Sequence, residues 1–184
     1  MYQDLSRYKF LENFRGRNVF EVQLWWFVQA IFFNLSPQFM YGWRRFLLRL
    51  FGAKIGKKVL LRPSVTVTYP WKVEIGDRSW IGDGVVLYSL GKIEIGSDTV
   101  ISQKCYLSSG SHKHNKMDFP IYQEKITIAN QCWLATDVFV ANGVSIGKGT
   151  VVGARSSVFS NLPPAKVCFG TPAKVVRDRM MEDE

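Results

Sequence analysis

Residues 128–158 read IANQCW-LATDVF-VANGVS-IGKGTV-VGARSS-V, with an aliphatic residue opening every group of six. The same period continues toward the N-terminus through residues 95–107 and 75–87. Twelve positions in this register are Ile, Leu or Val: Ile75, Ile81, Leu87, Ile95, Ile101, Leu107, Ile128, Leu134, Val140, Ile146, Val152 and Val158. In a chain that is 47% hydrophobic, twelve matches arise by chance with a probability on the order of 10⁻⁴. The repeat is therefore a structural signal.

The residue that follows each aliphatic is small in ten of the twelve units, with Tyr88 and Phe159 as the exceptions. This pattern is typical of neither a helix nor a simple alternating strand. It suits a three-sided coil, in which the aliphatic side chain fills the interior and a small residue tolerates close approach or a strained backbone at each corner. Stacked coils share one core, and the ends of the stack need caps. The repeat predicts an all-β parallel β-helix.

Composition divides the chain near residue 51. Residues 1–51 hold 15 of the 26 aromatic residues and two of the 15 glycines, whereas residues 52–170 hold the other 13 glycines. We therefore expect an N-terminal α-helical appendage at 1–51, a β-helix domain at 52–170 and a C-terminal tail at 171–184. The β-helix contains an inserted loop at 108–127.

The N-terminal region predicts two helices, over residues 18–34 and 37–50. The apolar run at 24–33 is too short to cross a bilayer, which needs roughly 20 apolar residues. In the second helix Arg44, Arg45 and Arg49 lie off an apolar stripe. Two interpretations stay open. The helices cap the repeat by packing their apolar faces on it, or they make peripheral contact with a membrane, with the arginines meeting lipid phosphates.

Charge and cysteine content limit the partners and the compartment. The net charge of +9 favours an anionic partner, and because no nucleic-acid-binding motif is present we expect a phosphate-bearing ligand rather than nucleic acid. Three cysteines cannot all pair, and none has metal-site spacing, so no metal is expected. The N-terminus lacks the pattern of an export signal. These features predict a cytoplasmic protein, with peripheral attachment at the inner face of the membrane as the alternative.

The inserted loop holds both histidines of the chain, His112 and His114. The loop lies between Leu107 and Ile128, which are 21 residues apart, three more than the 18 that would keep the period of six. A smaller break separates Leu87 from Ile95, which are eight residues apart instead of six. Loops inserted into a rigid repeat commonly carry function. An alcohol is a poor nucleophile until a base removes its proton, and imidazole is suited to that task near neutral pH. We therefore expect a general base in this loop.

Several motifs over residues 54–179 resemble a known family. They are Ile75-Gly76-Asp77, Gly110-Ser111-His112, Cys132-Trp133-Leu134-Ala135, Gly143-Val144-Ser145-Ile146-Gly147, Val152-Gly153-Ala154-Arg155-Ser156 and Gly170-Thr171-Pro172-Ala173-Lys174. Together they resemble the hexapeptide-repeat O-acetyltransferases of the galactoside, maltose and nodulation group, and are most similar to the colanic-acid-type exopolysaccharide acetyltransferases. Lys113 stands where those exopolysaccharide enzymes usually have Asp.

The resemblance implies a left-handed β-helix and acetyl transfer from acetyl-CoA to a sugar hydroxyl, in exopolysaccharide or surface-glycan biosynthesis. It places His112 as the catalytic base, and implies a homotrimer in which His112 of one subunit faces the donor groove of the next. The expected donor-binding residues are Trp133, Ala135, Thr136, Ala154, Arg155, Lys174 and Arg177. Of these, Thr136, Ala154, Lys174 and Arg177 match coenzyme-binding positions of the family, and the others supply small groove residues, a cation or a packing surface.

Asp83 and Tyr88 are the expected contacts for the sugar acceptor, on the side opened by the first break in the repeat. Two other functions remain to be weighed. The γ-type carbonic anhydrases share the fold but use three histidines for zinc, and this chain has two in one loop. A non-catalytic scaffold or acyl-CoA-binding module is the remaining alternative.

Overall fold

The described part of the chain contains nineteen short strands and two α-helices, joined by turns. The computed structural model describes residues 2–9 and 13–181. The helices are α1 (Val19–Val28) and α2 (Tyr41–Leu50). The strands are β1 (Lys54–Ile55), β2 (Leu60–Leu61), β3 (Thr66–Val67), β4 (Val73–Ile75), β5 (Trp80–Ile81), β6 (Val86–Tyr88), β7 (Ile93–Ile95), β8 (Val100–Ile101), β9 (Tyr106–Ser108), β10 (Gly110–His112), β11 (Ile121–Gln123), β12 (Ile126–Ile128), β13 (Trp133–Leu134), β14 (Phe139–Val140), β15 (Ser145–Ile146), β16 (Val151–Val152), β17 (Ser157–Val158), β18 (Lys166–Gly170) and β19 (Ala173–Asp178).

Three parallel sheets form the sides of a prism. Sheet A has the order β1-β4-β7-β12-β15, sheet B the order β2-β5-β8-β13-β16-β18-β19, and sheet C the order β3-β6-β9-β14-β17. All pairs in these sheets are parallel except β18 with β19. The chain visits A, B and C in turn, so each coil has three strands and three corners, AB, BC and CA. Five coils are complete, and the prediction of a parallel β-helix is confirmed.

The aliphatic residue of each six-residue unit points into the prism. All twelve positions identified in the sequence are buried. The period extends one coil further toward the N-terminus than the sequence count, through Ile55, Leu61 and Val67, which are also buried. Two extra residues separate Val67 from Ile75 as well as Leu87 from Ile95. The first break in the period is therefore a longer CA corner shared by the lower coils, rather than a single opening beside Tyr88.

The small residue after each aliphatic is required by the coil above it. A Cβ added to Gly76 would lie 2.5 Å from the backbone nitrogen of Ser97 in the next coil. The left-handed backbone falls instead three residues after the aliphatic, for example at Arg78 (φ 59°) and Arg155 (φ 58°). The sequence analysis expected close approach and an unusual φ at the same corner residue. In the structure, close approach occurs one residue after the aliphatic and the unusual φ three residues after it.

The N-terminal helices cover the open end of the first coil. The side chain of Asn18 accepts a hydrogen bond from the backbone of Glu21 and so caps α1. The predicted first helix continues beyond α1 as a π-helical turn over Gln29–Phe33. The second helix begins at Tyr41 rather than at residue 37, because the residues from Pro37 form a turn. The helical appendage is confirmed, with a later start for α2.

Arginine and tryptophan side chains satisfy the backbone of the first coil. In later coils the aliphatic carbonyls accept from the coil below, as Ile75 does from the Gly56 nitrogen at 2.7 Å. The first coil has no coil below it. Its carbonyls accept instead from cap side chains, over the pairs Arg49 Nε to Ile55 at 2.9 Å, Arg44 Nε to Leu61 at 2.6 Å, Arg45 Nη1 to Val59 at 2.8 Å and Trp25 Nε1 to Val67 at 2.8 Å. The cap completes a hydrogen-bond ladder.

This arrangement reverses the predicted orientation of α2. Arg44 is fully buried and Leu47 and Leu48 pack beside it, whereas Phe46 and Leu50 on the apolar stripe are exposed. The apolar stripe therefore packs on the repeat only in part, through Leu47 and Trp43. The arginines point toward the first coil instead of away from it, because that coil offers carbonyls and needs donors. No helix within residues 2–9 and 13–181 is long and apolar enough to span a bilayer.

The segment after residue 170 differs from the expected tail. Residues Ala173–Asp178 form β19, which pairs antiparallel with β18 at the far end of sheet B. Lys166 and Asp178 form an ion pair across the two strands. The β-helix unit therefore extends beyond residue 170, and β18 and β19 lie at the end opposite to the helical cap.

We expect Gly76→Ala to destabilise the fold by roughly 1–3 kcal/mol, because the new methyl group would collide with the backbone of the next coil. Gly42→Ala is the matched control. Gly42 is exposed in α2, where alanine should be neutral or stabilise by roughly 0.5–1 kcal/mol. Urea unfolding of both variants provides the measurement, and equal midpoints would contradict the close packing of coils.

Arg44→Met should cost about 3 kcal/mol, because it leaves buried carbonyls of the cap and first coil without a charged donor. Arg78→Met serves as the control, since Arg78 forms only an exposed ion pair with Asp98. Its free energy of unfolding should change much less. A wild-type melting temperature for Arg44→Met would show that the cap does not depend on this residue.

Candidate active site

The inserted loop forms a hairpin that leaves the prism at corner CA. Strands β10 and β11 pair antiparallel, with His112 opposite Ile121. The hairpin is fixed at its base by buried Ser109, whose hydroxyl lies 2.9 Å from the carbonyls of both Tyr88 and Gly91, to one of which it donates, and accepts from the Gly91 nitrogen at 2.9 Å. Gly110 lies against Leu90, and a Cβ there would come within 2.6 Å of a leucine methyl carbon. The rigid coils therefore determine where the hairpin starts.

The imidazole of His112 is held in one orientation by Phe119 across the hairpin. His112 Nδ1 lies 2.9 Å from the carbonyl oxygen of Phe119. A carbonyl can only accept, so Nδ1 carries the proton and Nε2 keeps its lone pair. The Phe119 ring stacks on the imidazole, with 4.5 Å between the ring centroids and 10° between the ring planes. The Tyr8 ring is tilted relative to the imidazole, with its centroid 6.3 Å away. Phe119 has a φ of 45°, unusual for an aromatic residue and typical of strain at a functional position.

The second histidine and Lys113 are placed differently. His114 and Lys113 are exposed in the turn of the hairpin. The backbone nitrogen of Lys113 donates to the Pro120 carbonyl at 2.9 Å, and its side chain replaces the aspartate common in similar enzymes. The role of orienting His112 falls to the Phe119 carbonyl. The sequence analysis missed Phe119 and Tyr8, because a carbonyl acceptor has no side-chain signature and Tyr8 is distant in sequence.

Three of the expected donor-site residues lie side by side at corner BC. Thr136 and Ala154 occupy equivalent positions in successive coils, and the Arg155 nitrogen donates to the Thr136 carbonyl at 2.8 Å. One coil below, Gln103 donates to the Thr136 hydroxyl at 2.7 Å. The Arg155 side chain is largely exposed and lies 3.7 Å from Asp137. Ala135 precedes this group at the same corner. The corner presents small side chains, a hydroxyl and a cation.

The other expected donor-site residues lie on sheet B beside this corner. Trp133 points outward from β13, is 46% exposed and donates from Nε1 to the Ser102 hydroxyl at 3.0 Å. Lys174 and Arg177 lie exposed on β19, at the end of the same sheet. All seven residues therefore follow one track, which runs along sheet B and corner BC toward the end of the prism away from the cap.

Asp83 lies at corner BC rather than beside the hairpin. It occupies the corner-BC position equivalent to Gln103 and Thr136, and its carboxylate accepts from Arg62 at 2.8 Å and Ser64 at 2.9 Å. Burial alone would raise the pKa of Asp83, but the hydrogen bonds from Ser64 and Arg62 hold the pKa below its ordinary value. Both oxygens are engaged within the chain, and they line a cavity with Tyr41 and Trp80.

Tyr88 lies close to the hairpin. It belongs to the coil directly below the hairpin and pairs in register with Ser108. Its ring lies 6.1 Å from Tyr106. Tyr88 therefore remains near the base of the histidine hairpin, whereas Asp83 lies at a different corner of the prism.

A covalent route through cysteine finds no support in the geometry. Cys105, Cys132 and Cys168 are all buried and free. Burial raises the pKa of the Cys105 thiol to about 11, and burial also raises the pKa of the other two. A thiol in that state is a poor nucleophile at neutral pH. Among residues 2–9 and 13–181 no group of three or more His, Cys, Asp or Glu side chains is arranged to hold a metal ion.

A histidine held in one orientation on a hairpin, mounted on a β-helix of six-residue units, is the arrangement expected of an acyltransferase of the hexapeptide-repeat class. No protein-family model matches the chain. It is 61% identical over 178 residues to a proposed colanic acid biosynthesis acetyltransferase of Escherichia coli, covering 97% of this chain and 98% of that protein. It is 28% identical over 138 residues to the galactoside O-acetyltransferase of Escherichia coli, covering 73% and 68%.

Solved structures agree on the fold. A galactoside acetyltransferase in complex with coenzyme A matches with a TM-score of 0.82 and 24% identity, covering 94% of this chain and 85% of that chain. A hexapeptide-repeat acetyltransferase of Vibrio cholerae complexed with acetyl-CoA matches with a TM-score of 0.78 and 24% identity, covering 92% and 89%. The full-length relationship at 61% identity shows that this chain belongs to the hexapeptide-repeat family of acetyltransferases.

We expect His112→Ala to lower the turnover of acetyl transfer by ~10²- to 10⁴-fold, the usual contribution of a positioned general base. His114→Ala is the matched control from the same hairpin and should have a much smaller effect, because that side chain is exposed in the turn. Thermal unfolding should be unchanged in both variants. Equal losses for the two histidines would reject His112 as the base.

Proposed function

We propose that this acetyltransferase moves the acetyl group of acetyl-CoA to a hydroxyl of a sugar or glycan, in exopolysaccharide or surface-glycan biosynthesis. The observation that carries the proposal is the orientation of His112, whose Nδ1 proton is held by the Phe119 carbonyl so that Nε2 can accept a proton. The 61% identical relative is assigned to colanic acid biosynthesis, which supports a glycan acceptor.

The proposed chemistry is direct attack without a covalent enzyme intermediate. Nε2 of His112 takes the hydroxyl proton while the acceptor oxygen bonds to the thioester carbonyl carbon. The carbon–sulfur bond then breaks, and the same proton returns to the departing sulfur. During the step the ring carries a positive charge, which the Phe119 carbonyl stabilises through the Nδ1 hydrogen bond. Stacking on Phe119 keeps the ring plane fixed.

The donor track fits the chemistry of coenzyme A. Small residues such as Ala135 and Ala154 leave backbone groups accessible for a long pantetheine arm. Arg155, Lys174 and Arg177 provide cations toward the end of the track, where the phosphates would bind. Trp133 offers an exposed indole face beside this path. Asp83 and Tyr88 remain the proposed acceptor contacts. Tyr88 has the better position, because Asp83 is already paired with Arg62.

We propose a homotrimer, because one subunit keeps the base and the donor track apart. His112 lies at corner CA and Thr136 at corner BC, with sheet C between them. The outer face of sheet A carries ion pairs, such as Lys54 with Glu74 at 2.8 Å. The outer rows of the other two sheets are mostly apolar: Leu60, Trp80, Val100, Trp133, Val151 and Val167 on sheet B, and Thr66, Val86, Tyr106, Phe139 and Ser157 on sheet C.

Two different apolar faces suit a closed ring, in which one face of each subunit meets the other face of the next. Such a ring would bring the His112 hairpin of one subunit to the donor track of its neighbour. We further propose a cytoplasmic enzyme with peripheral contact at the inner face of the membrane, where an acceptor glycan carried on a lipid would be accessible.

Mixed oligomers provide the test of the shared site. His112→Ala and Ala154→Tyr should each abolish release of coenzyme A thiol from acetyl-CoA in the presence of a glycan acceptor. The first removes the base and the second fills the donor track. When the two chains are coexpressed, roughly a quarter of the sites should combine an intact base with an intact track, and activity should return to about that fraction.

Coexpression of His112→Ala with the double variant His112→Ala, Ala154→Tyr is the matched control and should stay inactive. A monomeric wild type, or no recovery in the mixed oligomers, would overturn the shared site. Binding of acetyl-CoA without transfer to any mono-, oligo- or lipid-linked saccharide would overturn the enzymatic proposal in favour of a binding module.

A further inference from the structure

The helical cap carries a continuous apolar face that the fold does not use. In α1 and the π-helical turn, Val22, Trp25, Gln29 and Phe33 are buried against the first coil. The opposite side has a second stripe at helical spacing, made of Phe20, Leu24, Phe27, Ile31 and Leu35, with exposed fractions between 41% and 74%. A helix that is apolar on both sides has a second partner besides its own core.

Helix α2 extends the same face. Phe39, Phe46 and Leu50 are 80%, 53% and 64% exposed, and Trp43 lies between them. Trp43 Nε1 donates to the Phe32 carbonyl at 2.9 Å, which joins the two helices, and its ring stacks on Phe46 at 5.7 Å. We call these nine residues the outer cap face: five come from the first stripe, Phe39 comes from the turn before α2, and three come from α2 itself.

Charge around the outer cap face is mainly positive, and the one carboxylate next to it in α1, Glu21, is paired with Arg17 at 3.1 Å. Residues 22–73 contain eight Lys and Arg residues and no Asp or Glu. Arg44, Arg45 and Arg49 all donate to carbonyls of the first coil, with Arg44 fully buried and Arg49 exposed at the surface. Lys57 and Lys58 are exposed at the first AB corner, next to Gly56, whose carbonyl accepts from Arg49 at 2.8 Å. Within the described ranges, neither lysine forms an ion pair.

We propose that the outer cap face docks on an anionic lipid bilayer, inserting its phenylalanine and leucine side chains at the level of the headgroups. Apolar side chains, an interfacial tryptophan and flanking lysines are the features of helices that lie in a membrane surface. A second copy of this chain would bring the same positive charge to the contact, whereas anionic lipid headgroups complement it. Binding depends on the apolar face, with Lys57 and Lys58 as the main electrostatic contribution, because Arg44, Arg45 and Arg49 already donate to carbonyls of the first coil.

This inference makes the peripheral attachment proposed above specific, and it does not depend on acetyl transfer. It predicts that the wild-type protein co-sediments with vesicles of phosphatidylcholine and phosphatidylglycerol at low ionic strength. The double variant Phe27→Ser, Phe46→Ser should bind these vesicles on the order of tenfold more weakly per phenylalanine. Lys57→Gln and Lys58→Gln should each weaken binding roughly fivefold, which corresponds to ~1 kcal/mol per charge, and only on the anionic vesicles.

The matched control is Met180→Ser, which alters an equally exposed apolar residue at the opposite end of the β-helix and should leave vesicle binding unchanged. Turnover with a water-soluble acceptor should be normal in all these variants, so loss of lipid binding and loss of acetyl transfer are separable. Failure of the wild type to co-sediment would overturn the proposal. So would a fall in oligomer mass of the double phenylalanine variant in the absence of lipid, because that result would assign the face to a second protein copy.

Discussion

The backbone carbonyls at the open end of the first coil are the constraint on which the rest of the structure depends. Every later coil is satisfied by its neighbour, but Ile55, Leu61 and Val67 have no coil beneath them. An unpaired buried carbonyl costs about 1–3 kcal/mol, and several in one layer would compete with the stability of the whole domain. The cap therefore supplies donors, from Arg49, Arg44 and Trp25, rather than a purely apolar lid.

This arrangement of the cap affects both the outer surface of the cap and the hairpin that carries His112. Because the arginines donate to the first coil, part of the apolar surface of the cap, including Phe46 and Leu50, remains outside. The N-terminal segment also reaches the histidine hairpin: the Asp4 nitrogen donates to the Met117 carbonyl at 2.8 Å, and Tyr8 lies beside His112. Cap and hairpin are thus connected through the chain, with the stacked coils between them as a rigid spacer. Coils rise by about 4.8 Å each, so the hairpin leaves the prism roughly 10 Å above the first coil.

The site illustrates how far a repeat can be interpreted from sequence. A base was predicted in the inserted loop because both histidines fall there and alcohol activation calls for a base, and the family resemblance selected His112. Its orienting partner could not be identified, since the Phe119 carbonyl is a backbone atom presented by an unusual φ. Asp83 was expected as an acceptor contact together with Tyr88, on the side opened by the first break in the repeat. In the prism it lies at another corner, paired with Arg62, because neighbouring six-residue units point in directions about a third of a turn apart.

The sequence by itself determined the β-helix, the number of residues per side, the buried aliphatic rows and the insertion that carries the histidines. Each of these follows from a local period, since a side chain's direction in a coil depends only on its position in the unit. Only the tertiary structure decided which way α2 faces, where the left-handed residues lie and how β19 closes sheet B. Those features depend on the groups that the neighbouring coil presents. These groups are free carbonyls facing α2, a backbone nitrogen that would lie 2.5 Å from a Cβ added at Gly76, and the open edge of β18. A hydrophobic period records burial, but it does not record which backbone groups still need a partner.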